Sequence, residues 1–83
     1  MRAEQYLPDD VDQVELRGVT IRKGTVAAFL ANARVWSDAE ASENARAEAG
    51  TDMADALPVL RALGLFDVFE IRDVSLRAWV LAH

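Results

Sequence analysis

The densest cluster of possible metal ligands lies near the start of the chain, where Asp9, Asp10, Asp12 and Glu15 stand close together. Carboxylate oxygens are the ligands that calcium prefers, but an EF-hand loop needs glycine at its sixth position. Counted from Asp10, the sixth residue is Glu15, so the pattern fails. We expect no metal site here, and we interpret residues 1–12 as a polar lead-in, either flexible or an acidic arm for a basic partner.

The residues used for nucleophilic catalysis are almost absent. The chain has no cysteine and one histidine, His83. Ser37, Ser42 and Ser75 occur in no Gly-x-Ser-x-Gly motif, which presents a serine nucleophile to a histidine base. Without cysteine, a transition-metal site would have to be rich in carboxylates. We therefore predict a protein that is not an enzyme and has no catalytic residue, cofactor or metal.

A phosphate site is suggested by Lys23, Gly24 and Thr25, because the N-terminus of a helix attracts anions. A P-loop needs lysine after its second glycine, whereas here the lysine precedes the glycine. The sequence favours a plain turn from strand to helix with Thr25 as the N-cap, and a weak anion site at these residues is the alternative.

The first structural elements are a hairpin and a helix. Apolar and polar residues alternate through residues 13–23, which is typical of strands with one buried face. Gly18 interrupts the run and predicts a tight turn at Arg17-Gly18. A helix is predicted over 25–36, because apolar residues recur at helical spacing on one side of it.

Two further helices are predicted in the middle of the chain. Ser37 and Glu40 match a capping box for a helix over 38–49, which has little to bury and ends at Gly50. A second helix over 51–64 contains Pro58 and ends at Gly64. Proline removes a backbone hydrogen bond, so either this helix kinks or a new one begins near Pro58.

The segment 65–83 has two interpretations. Its β-forming residues and the alternation after Val74 favour strands over 68–71 and 74–81, which would form a second hairpin. Val74, Ala78 and Leu81 also fit a helix that begins at Asp73.

These elements predict a small α+β domain over residues 13–83, with one or two antiparallel hairpins packed against two to three helices. The predicted core consists of the apolar residues on the inward faces. They are Val14, Leu16, Val19, Ile21, Val26, Phe29, Leu30, Ala33, Leu57, Leu60, Leu63, Phe66, Val68, Phe69 and Leu76.

Part of the chain is similar to a known kind of protein. The run from Arg22 to Asn32, Pro58, and the run from Gly64 to Phe69 resemble short bacterial proteins of unknown function. Those proteins have a strand hairpin, a Gly-Thr-Val-x-Ala-x-Leu helix start and a Pro…Gly-Leu-Phe-Asp-x-Phe segment. The resemblance covers residues 14–69, leaves 70–83 outside, and implies no activity.

Charge and size restrict the possible partners. The 83 residues carry a net charge of −5, which argues against direct binding of nucleic acid or of anionic membranes. No apolar run has the length of a signal peptide or a membrane span, so we expect a cytoplasmic protein. A domain this small often needs a disulfide, a metal or a partner chain for stability. Because the chain has no cysteine and only one histidine, we expect a partner chain.

The sequence therefore predicts a non-enzymatic protein-interaction module, with a protein partner or a second copy of itself as a homodimer. A self-associating protein would use an open sheet edge or an apolar patch that includes Trp79. The alternative is an acidic inhibitor that occludes a basic nucleic-acid-binding site on a partner protein. The candidate interface residues are tryptophans, which are frequent at hot spots, and exposed carboxylates: Trp36, Trp79, Asp38, Glu40, Glu43 and Glu48.

Overall fold

A computed structural model describes residues 13–16, 18–22 and 24–83. The predictions for the lead-in over 1–12, for Arg17 in the turn and for Lys23 in the anion site lie outside the described residues.

The fold is α+β, and the described residues begin with the predicted hairpin. Strand β1 (Gln13–Leu16) pairs antiparallel with β2 (Val19–Arg22), so that Leu16 lies opposite Val19. Gly18 stands between the strands with φ of 78°, a left-handed conformation that glycine adopts without steric cost. In β2, Ile21 is buried while the residues on either side of it are exposed, as the alternation predicts.

Helix α1 (Thr25–Ser37) follows directly, but Thr25 is not its N-cap as predicted. Gly24 takes that position with φ of 81° and no side-chain cap. The Thr25 hydroxyl instead donates a hydrogen bond to the carbonyl of Arg22 at 2.8 Å. A left-handed glycine turns the chain within one residue, so Thr25 already lies in the first turn of the helix.

The two predicted middle helices are one helix, α2 (Glu43–Leu63). The predicted helix start at Ser37 is wrong: Asp38 Oδ1 accepts a hydrogen bond from the backbone N–H of Glu40 at 2.9 Å, which forms a turn. Ser42 is the actual N-cap, with its hydroxyl 3.0 Å from the backbone nitrogen of Ala45. Gly50 lies inside the helix, where a Cβ would be 3.6 Å from Cδ1 of Trp36.

Ser42→Ala is expected to lower the free energy of unfolding by about 1 kcal/mol, because it removes the acceptor for an otherwise unpaired helix N–H. Chemical denaturation followed by circular dichroism measures this change. Ser37→Ala is the matched control and changes the stability by less than about 0.5 kcal/mol. The reverse order of the two effects would contradict the observed start of α2.

Helix α2 continues through Pro58, so of the two alternatives left open there, the start of a new helix is wrong. Pro58 is exposed, whereas Leu57 and Leu60 beside it are buried. Burial of these two leucines offsets the lost backbone hydrogen bond. The helix ends at Gly64, with φ of 80°, as predicted.

The interpretation of the last segment as strands is wrong, and its alternative is confirmed. A single helical turn, α3 (Leu65–Val68), is followed by α4 (Val74–Ala82). Asp73 is the N-cap of α4 and accepts a hydrogen bond from the backbone N–H of Leu76 at 2.8 Å. The described residues therefore contain one hairpin and no second one. In this helix Val80 is buried in the core.

The core lies where α1 and α4 pack against α2. Its buried cluster is Phe29, Ala33, Met53, Leu57, Leu60 and Val80. The predicted core is confirmed at Ile21, Phe29, Ala33, Leu57 and Leu60, while Ala49, Met53 and Val80 were missed.

The core prediction is wrong at four apolar residues whose side chains are substantially exposed. They are Val26 (37%), Leu30 (54%), Val68 (79%) and Phe69 (66%). Val68 is the last residue of the single turn α3, and Phe69 follows it. Neither residue belongs to a strand, so no second layer covers their side chains.

Candidate functional site

The predicted acidic interface residues all lie on one part of the chain and are exposed. Asp38 and Glu40 are in the turn before α2, and Glu43 and Glu48 are in its first half. No group of acidic residues or histidine within the described ranges has the spacing of a metal site. These side chains are acidic and exposed to solvent.

The two tryptophans pack against each other. The ring centroids of Trp36 and Trp79 are 6.0 Å apart, and the ring of His83 stacks on Trp79 at 4.2 Å. Both indoles are half-buried and contact the core cluster. Trp36 also borders an open depression with Glu43 and Arg46, which brings one predicted aromatic residue beside one predicted acidic residue.

The remaining predicted site is the helix start at Gly24 and Thr25. The Thr25 hydroxyl donates its hydrogen to the Arg22 carbonyl, so it has no proton to offer an anion. The weak anion site remains a prediction, and it now depends on backbone N–H groups and on Lys23, which lies outside the described residues.

A surface that the sequence analysis missed is the outer side of α1. Its exposed positions carry only two polar residues, Arg34 and Ser37, and the others are apolar: Val26, Ala27, Ala28, Leu30, Ala31 and Val35. A surface helix normally presents polar residues to solvent. We call these six apolar residues the α1 face. The signal was present in the sequence, because α1 contains no acidic residue and is apolar on almost every side.

The α1 face continues into a groove of about 440 Å³ between α1, α3 and the start of α4. Eight of its lining residues are apolar: Val26, Phe29, Leu30, Leu65, Phe66, Phe69, Ile71 and Leu76. Only Glu70, Arg72 and Asp73 add charge. We call this space the α1 groove.

A second groove of about 460 Å³ shares Phe66, Phe69, Glu70 and Ile71 with the first and is more polar. It is lined by five apolar residues and four charged ones, Arg61, Asp67, Glu70 and Arg77. Phe69 lines both grooves and is 66% exposed.

Two arginines restrain the backbone after Phe69 and the end of α4 through hydrogen bonds. Arg77 donates to Glu70 Oε1 at 2.8 Å and to the Ile71 carbonyl at 3.3 Å. Arg61 donates to the carbonyls of Val80 and His83 at 3.2 and 3.4 Å. The backbone after Phe69 is therefore tied to α4, and α4 is tied to α2.

Charge is unevenly distributed over the molecule. Residues 38–55 contain six exposed acidic residues and one basic residue, Arg46. Residues 61–77, which form much of both grooves, contain three acidic and three basic residues. Neither α1 nor α4 contains an acidic residue. The side formed by α1 and residues 61–77 therefore carries one net positive charge, that of Arg34, whereas residues 38–55 carry five net negative charges.

Comparisons with known proteins give no relationship. No protein-family model matches the chain, and no curated protein or solved structure matches it either. The resemblance to short bacterial proteins stays a prediction. Among the described helices, none combines the length and the apolar character that crossing a bilayer requires.

Proposed function

We propose that this protein is a non-enzymatic protein-interaction module of the cytoplasm that self-associates through the α1 face. The observation that carries the proposal is the apolar outer side of α1, where Leu30 is 54% exposed and no acidic side chain is present. Contiguous apolar surface on a small protein marks an interaction site.

Charge favours a second copy of the same chain as the occupant. Two copies that each carry a net charge of −5 repel one another, and this repulsion is smallest where the facing surfaces are neutral. This side of the molecule is the least acidic one, because α1 carries one basic residue, Arg34, and no acidic residue, and the charges of 61–77 are balanced. The alanines on the α1 face also allow the backbones of two helices to approach closely.

Leu30→Asp is the variant that tests this proposal. In a twofold dimer it replaces an apolar contact of each copy by a carboxylate that must lose water on association, so the dissociation constant is expected to rise by about tenfold or more. Sedimentation velocity over a wide range of concentration measures the effect. Asn44→Asp adds the same charge at an exposed position in the first turn of α2 and should leave the dissociation constant within about twofold.

Two results would contradict the proposal. One is an unaltered protein that stays monomeric at the highest concentration reached. The other is an equal effect of Leu30→Asp and Asn44→Asp, which would mean that net charge rather than the α1 face controls association.

A second candidate is the acidic inhibitor, and the six exposed acidic residues of 38–55 support it. Arg46 places a positive charge within this segment, which reduces its attraction for a basic partner. Added salt separates the two candidates: it screens the repulsion between two acidic copies and preserves an apolar dimer, but it dissociates a complex with a basic partner such as a polylysine peptide.

A further inference from the structure

We draw no further inference here: the strongest candidate, the second groove between α2, α3 and α4, is lined by two arginines that already donate hydrogen bonds to protein oxygens and by apolar side chains for which nothing in the structure shows what covers them.

Discussion

Leu60→Ala is expected to lower the free energy of unfolding by about 2 to 5 kcal/mol, the largest effect of any substitution considered. Leu60 is fully buried at the centre of the cluster that joins α1, α2 and α4. Truncation removes apolar contacts and leaves a cavity that three packed helices cannot fully close. A domain of this size has a small free energy of unfolding, so the variant should be partly unfolded at moderate temperature.

Urea denaturation followed by tryptophan fluorescence measures this loss, because Trp36 and Trp79 both contact the core cluster. The concentration must be low enough to keep the chain monomeric, since dimerisation adds to the apparent stability. Leu81→Ala is the control: Leu81 is 80% exposed, and its truncation should cost less than about 0.5 kcal/mol. Comparable losses in the two variants would show that the core lies elsewhere.

Trp79→Ala is expected to lower the free energy of unfolding by about 2 to 3 kcal/mol and to leave self-association intact. The indole packs on Trp36 and on the core cluster, so its first role is to join α4 to α1. Urea denaturation gives the stability, and sedimentation velocity gives the dissociation constant of the folded variant.

Together, the free energy of unfolding and the dissociation constant show whether Trp79 stabilises the core or anchors an interface. His83→Ala removes the exposed ring that stacks on Trp79 and should lower the free energy of unfolding by less than about 1 kcal/mol. A Trp79→Ala protein of normal stability that no longer self-associates would make Trp79 the interface anchor and would displace the α1 face from that role.

The proposed self-association through the α1 face changes which residues carry recognition. Sequence reasoning directed attention to tryptophans and carboxylates, whereas the proposed interface consists of the apolar residues of the α1 face. An apolar residue is assigned to the core by default when only its spacing is known. Leu30 and Phe69 were both expected to be buried, and their exposure is what makes them candidates for recognition.

Several features could be predicted because their causes lie within a few residues. The hairpin follows from alternation around Gly18, the start of α1 near Gly24 follows from the break in the strand pattern, and the end of α2 follows from Gly64. In each case a left-handed glycine or a repeat of side-chain type acts on its immediate neighbours. Such signals can be recognised in the sequence without knowing which elements pack together in the fold.

Other features depended on contacts between distant parts of the chain. Alternation after Val74 is compatible with strand and helix alike, and the burial of Val80 against α2 decides for the helix. Gly50 resembles a helix end, but α2 passes through it because Ala49 and Met53 are buried on either side.

The amino-acid sequence by itself determined the α+β class, the hairpin, α1 and the acidic character of residues 38–55. Tertiary structure alone decided that α2 is one helix, that 74–82 is helical, and which apolar residues remain exposed. The physical reason is the range of the interactions: turns and caps act over neighbouring residues, whereas burial depends on which elements meet in space.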